Sequence, residues 1–252
     1  MTISESTKLW LELVQEDQRS EATEFAYGFE WLQTSHYILN ANYQELKAIP
    51  ERFDTDQRLL NLANRSEQDA LHSEFIRRLH NYLASVKTLV DHTRTFRSRH
   101  VRDEGFDQNC EVQLSRLRDD PVVKFLQEFR NPVLHSHLPR VALTTTSPDC
   151  KGIRRQFTLS VSDLRAMHDW SQEARRYIDE AQEGYYNDRK YIDVAGAAQK
   201  YQEAVTVFYT WFYESIGIVK GPMIAEFVAR RTQLASLQAE MHARTNERPQ
   251  AG

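Results

Sequence analysis

The feature that most constrains the fold is one long apolar stripe at helical spacing. From about Asp56 the residues Leu59, Leu60, Leu62, Leu71, Phe75, Leu79, Tyr82, Leu83, Val86 and Val90 recur every three to four positions, and the pattern holds to about Arg99. At about 100° per residue this spacing collects the side chains on one side of a helix, which must then bury them against a partner. The chain has only 8 Gly and 7 Pro in 252 residues, so it has few tight turns, and long helices are favoured over a strand-rich architecture.

Shorter patterns supply the partners. Trp10, Leu11, Leu13 and Val14 predict a first helix, while Phe25, Phe29, Leu32, His36, Leu39, Tyr43 and Leu46 predict a second that stops at Ile49-Pro50. A polar stretch from Asp103 to Asp107 ends the long stripe, and Val112, Leu114 and Leu117 restart helical spacing up to Asp119-Asp120-Pro121. There an acidic N-cap followed by proline marks a new helix start. Beyond Leu138-Pro139 the period falls to two: Val141, Leu143 and Thr145, then a polar turn over 147–152, then Phe157, Leu159 and Val161. That alternation predicts a β-hairpin. Helices resume over roughly Asp163 to Tyr186, Tyr191 to Ile216 and Pro222 to Met241, with a disordered tail after Arg244. The expected fold is a single all-α domain over 1–252. Additional N-terminal helices reach residue 50, and an antiparallel helical bundle spans about 56–241 with a β-hairpin inserted at about 140–161.

Composition narrows the function classes. A net charge of -4 argues against nonspecific coating of nucleic acid, yet permits a local basic patch. No apolar run is long enough for a membrane span, and the N-terminus lacks the pattern of a secretory signal, so no membrane partner and a cytoplasmic location are expected. Cys110 and Cys150 are far apart and lack CxxC spacing, which points to reduced thiols rather than a disulfide or a zinc site. The phosphate-loop, dinucleotide and nucleophile-elbow motifs are all missing from the sequence, as are HExxH and any Glu three residues before a His. Neither a metal nor a cofactor is expected.

One run remains, Phe129-Arg130-Asn131-Pro132-Val133-Leu134-His135-Ser136-His137-Leu138-Pro139. A chain of this composition would contain Arg-Asn-x-x-x-His by chance about 0.03 times. On the helix that starts at Pro121, Val122, Phe125, Leu126, Phe129 and Val133 fall on the buried face, with Lys124, Glu128, Asn131 and His135 opposite. The run resembles the signature of the HEPN superfamily, in which an Arg followed by a polar residue precedes a His on a helix of an all-α bundle. Arg130, Asn131 and His135 occupy those positions, and the resemblance covers about eleven residues together with their helical context.

What the resemblance implies is metal-independent endoribonuclease activity of the kind found in toxin–antitoxin and antiphage systems, with two protomers bringing their motifs together in a cleft. The expected partners are RNA, a second copy of the chain and an antitoxin protein. The chemistry is compatible. An imidazole, which ordinarily titrates at about 6.5, can accept the ribose 2′-OH proton or protonate the leaving 5′-oxygen, and a guanidinium can stabilise the phosphorane through forked hydrogen bonds. Asn131 would orient the phosphate or the imidazole, and the products would be a 2′,3′-cyclic phosphate and a 5′-hydroxyl. Lys124, Arg97, Arg99, His137 and Arg140 are candidate RNA-binding residues. Arg97 and Arg99 belong to a basic stretch, Arg94 to Arg102, in which Phe96 would be available for base stacking. The alternative for that stretch is cationic side chains complementing a helix C-terminus.

Geometry raises one difficulty. In a straight helix Asn131 and His135 share a face, but Arg130 and His135 diverge by about 140°. Either Pro132 bends or ends the helix between them, or a two-fold axis supplies Arg130 from one chain and His135 from the other. The competing function is a noncatalytic helical protein that binds a nucleotide or a protein partner. The competing local reading has Arg130 pairing with Glu128 or Asp120, Asn131 capping backbone and His135 lying on the surface.

Overall fold

The computed structural model describes residues 3–56, 65–136, 139–146, 154–183 and 190–246. Leu59, Leu60 and Leu62, His137, the hairpin turn with Cys150, and the end of the tail lie outside the described residues. The architecture is helical with one small sheet. Helices α1 (Ile3–Gln18), α2 (Glu21–Thr55), α3 (Arg65–His100), α4 (Glu104–Asp119) and α5 (Pro121–His135) precede strands β1 (Val141–Thr146) and β2 (Arg154–Ser160). Then come α6 (Val161–Met167), α7 (Gln172–Asp179), β3 (Gln182–Glu183), β4 (Lys190–Asp193), α8 (Val194–Val219) and α9 (Gly221–Asn246). Among the described residues no helix is long and apolar enough to cross a membrane.

The stripe on α3 is buried at Leu71, Phe75, Leu79, Tyr82, Leu83 and Val86, whereas Val90 is only partly buried and Leu89 and Phe96 carry the core contact on in its place. Helix α2 lies antiparallel along it, with Phe25 against Phe96 and Tyr43 against Tyr82. Helix α8 runs in the same direction as α3 and completes the layer. Tyr82 donates to the Ala198 carbonyl at 3.2 Å, Thr93 and Tyr209 share a hydrogen bond, and Phe96 meets Phe212. Helix α4 covers the far end through Phe106, which stacks on Trp211 at 5.8 Å. Phe208, Tyr209 and Phe212 lie in the core, and Trp211 and Tyr213 pack against it. Helix α1 packs mainly on α9, and Arg231 of α9 pairs with the buried Asp17 carboxylate at 3.3 Å.

The hairpin is present and belongs to a larger element, an antiparallel sheet in the order β1-β2-β4-β3. Its inner face docks through Phe157, which stacks on Phe75 at 4.1 Å with the rings nearly parallel, while His72 Nε2 contacts the Val141 carbonyl at 2.6 Å.

Three boundaries differ from the sequence expectation, each for a tertiary reason. Helix α2 does not stop at Ile49-Pro50 but continues through Pro50 to Thr55. Interior proline costs about 3 kcal/mol, yet Ile49 and Phe53, one turn apart, are both buried, and Phe53 reaches Phe157. The expected helix over Asp163 to Tyr186 is instead two short helices and a strand. Trp170 folds inward, its indole N–H donating to the Leu164 carbonyl at 2.7 Å, and Ser171 then caps α7 by accepting from the Ala174 N–H. Finally, Tyr191 and Ile192 are strand rather than helix, because they pair with Ser160 and Leu159. Asp193 then starts α8 by accepting from the Ala195 N–H at 3.1 Å.

Phe157 joins the sheet to both long helices, stacking on Phe75 of α3 and meeting Phe53 of α2 edge-on. Truncation by Phe157→Ala should therefore cost about 3–5 kcal/mol, read as a lowered urea midpoint with the helical circular-dichroism signal of the native state retained.

Candidate active site on helix α5

Helix α5 begins as its sequence dictates. Asp120 is the N-cap, its carboxylate accepting from the backbone N–H groups of Val122 at 2.9 Å and Val123 at 3.3 Å, with Pro121 in the first turn. Val122, Phe125, Leu126, Phe129 and Val133 are buried, joined by Val123 and Pro132. Phe125 stacks on Phe129 and touches Trp170 and Tyr177, so α5 is held between α3, α8 and α7. Burial pushes the Tyr177 hydroxyl up to about 12, with smaller contributions from Asp193 and Asp120, so the phenol stays neutral and packs as a ring.

The opposite face carries the polar residues. Lys124 pairs with Glu128 at 3.5 Å one turn along, and the Glu128 carboxylate also accepts the Ser171 backbone N–H at 2.9 Å. Glu128 is therefore committed to tying the start of α7 to α5. Sequence reasoning missed this residue because it treated the break before α7 as helix; the usable signal was Ser171, a residue type suited to N-capping. Around this tie lies an open cleft lined by Glu128, His168, Trp170, Arg175 and Asp179 among others. Arg175 there pairs with Asp169 and Arg165 with Asp179.

The structure brings Arg130 and Asn131 together: an Arg130 Nη2–H donates to Asn131 Oδ1. The Arg130 Nε is buried and has no hydrogen-bond partner among the described residues. Neither Glu128 nor Asp120 holds the guanidinium, since the first is engaged by Lys124 and Ser171 and the second caps α5. Asn131 is exposed, and so is His135 in the last residue of the helix. Among the described residues no side-chain hydrogen bond joins His135 to Arg130 or Asn131. Pro132 does not end α5. The helix continues three residues past it, and the Ser136 N–H closes the last turn on the Pro132 carbonyl at 2.9 Å.

The candidate RNA-binding residues are scattered. Arg97 is mostly enclosed, donating to Asp107 at 2.9 Å and to Glu111 at 3.3 Å. Burial works against its charge, but the hydrogen bond to Asp107 leads the effects that outweigh it, and the pKa is raised. Phe96, expected to be free for stacking, is instead buried among Phe25, Phe29, Phe212 and His100. The α3 stripe extends far enough to claim it. Arg99 and Arg140 are exposed, and Lys124 is occupied by Glu128. Cys110 is a buried free thiol whose pKa burial pushes up to about 11, so it offers no thiolate at neutral pH.

Comparison with protein-family models, with curated proteins and with solved structures gives no match to this chain.

Replacing Glu128 by Ala leaves the Ser171 N–H without its charged acceptor, a loss of about 1.5–3 kcal/mol. Hydrogen exchange should rise at the start of α7 while the α2–α3 pair stays protected.

Proposed function

We propose that the chain is a metal-independent endoribonuclease of the HEPN type, acting through Arg130, Asn131 and His135. One observation carries this reading. The Arg130 guanidinium is not consumed by a carboxylate among the described residues; it leans on Asn131 and keeps an unsatisfied buried N–H, on a helix whose exposed end presents His135. A buried donor without an acceptor costs stability unless something else binds it, and a phosphate oxygen is the acceptor for which a guanidinium fork is best shaped. In this reading Arg130 stabilises charge on the phosphorane, Asn131 holds the guanidinium or the phosphate in place, and His135 moves the proton between the 2′-OH and the 5′-oxygen. Arg99 and Arg140 would contact flanking phosphates. A homodimer would pair two such sites, and an antitoxin protein would be the partner in a toxin or antiphage-defence setting in the cytoplasm.

The test is RNA cleavage by purified protein in EDTA, with product ends analysed for 2′,3′-cyclic phosphate. His135→Ala should lower the rate by at least about 100-fold. Arg130→Lys keeps the charge but loses the fork, and should lower it by about tenfold or more. Undiminished cleavage by His135→Ala would remove this site from consideration. Wild-type protein that binds RNA or a protein partner without cleaving would favour the noncatalytic reading.

A further inference from the structure

Two imidazoles pack along α2, His36 of α2 itself and His100 of α3. His36 lies against the Tyr209 and Tyr213 rings of α8, with centroids at 4.6 and 5.7 Å, and its Nδ1 is 3.2 Å from the Tyr213 hydroxyl. Its Nε2 is buried with no hydrogen-bond partner among the described residues. The Tyr209 hydroxyl is turned to Thr93 of α3, which itself donates to the Leu89 carbonyl. His100, at the end of α3, packs on Phe25 and Phe96, and its Nε2 stands where a Cβ on Gly28 would be only 2.7 Å away. A side chain at position 28 would force the His100 ring to shift.

We propose that the seam joining α2 to α3 and α8 is an acid-sensitive clamp, held closed while His36 and His100 are neutral and loosened when they take up protons. In the neutral imidazole of His36 one ring nitrogen donates and the other accepts, and the Tyr213 hydroxyl serves Nδ1 in either role. The imidazolium carries two N–H donors, and the one at Nε2 has no hydrogen-bond partner among the described residues. The titratable groups facing His36 are the phenols of Tyr209 and Tyr213, both pushed upward by burial and so neutral. Burial is accordingly what lowers the His36 pKa. His100 is also lowered, first by burial, with Arg99 and Lys220 acting in the same sense and Glu24 and Glu21 in the opposite one. A group whose pKa is depressed by folding contributes stability above its unfolded value of about 6.5 and loses it as pH falls through the folded value. The clamp should therefore be closed above about pH 6.5 and weaken on mild acidification.

The experiment is hydrogen exchange along α2 at pH 7.5 and pH 5.5, corrected for intrinsic rates, together with an NMR titration of the histidine rings of the intact chain. Protection of α2 should fall relative to α5 by up to about tenfold for each of the two imidazoles, the most that one pH unit below 6.5 allows, and the His36 ring should titrate below 6.5. In His36→Phe, which keeps the stack but cannot titrate, the acid-induced loss should shrink to the part carried by His100. An α2 equally protected at both pH values, or a His36 ring titrating at or above 6.5, overturns the proposal. The ring titration decides the matter even if the variant does not fold.

Discussion

Burial of one face of α3 is the constraint on which the other elements depend. Its side chains are shared out along its length. Phe75 receives the sheet through Phe157, Tyr82 meets Tyr43 of α2 and the Ala198 carbonyl of α8, and Phe96 closes against Phe25 and Phe212. Aromatic rings dominate these contacts because a long helix has to bridge wide gaps to several neighbours, and rings fill such gaps at little entropic cost. At the α2 end the aromatic packing is so close that Gly28 is the residue that accommodates His100.

Helix α5 inherits its orientation from this arrangement. With Phe125, Leu126 and Phe129 committed inward to α3, α7 and α8, the line from Lys124 through Glu128 and Asn131 to His135 faces outward. The near half of that line is structural, since Lys124 and Glu128 hold each other and the N-terminus of α7. The far half, Asn131 and His135, has no such duty among the described residues. A polar face that divides this way is more informative than amphipathicity alone, which every surface helix shows.

The helical class, the α3 stripe, the start of α5 at Asp120-Pro121 and its buried face were all legible in the sequence, because each follows from local period or cap chemistry. What was illegible rests on contacts distant in the chain. Pro50 looked like a stop, but Phe53 is worth burying under a strand a hundred residues on. Residues 163–186 looked like one helix because Trp170, Ala174 and Ile178 keep a helical period across a break that the indole hydrogen bond to Leu164 imposes. Phe96 sits in a basic run that reads either as a nucleic-acid surface or as cations at a helix C-terminus; Arg97, Arg99 and His100 do lie in the last turn of α3, the Phe96 ring belongs to the core, and Arg97 pairs with Asp107 and Glu111.

The angular difficulty at the candidate site is not removed by the backbone. Pro132 neither ends α5 nor opens it, and its ring is buried, so its apolar surface offsets part of what the missing N–H costs. The Cα positions of Arg130 and His135 therefore keep their divergence of about 140°. Arg130, however, has a long flexible stem, and its guanidinium turns onto Asn131, which stands one helical turn before His135 on the exposed face. That bond holds the guanidinium beside Asn131, and among the described residues no hydrogen bond carries it on to His135. On the proposed reading a second protomer therefore keeps its part, supplying the guanidinium or the imidazole that one helix does not bring to the same phosphate.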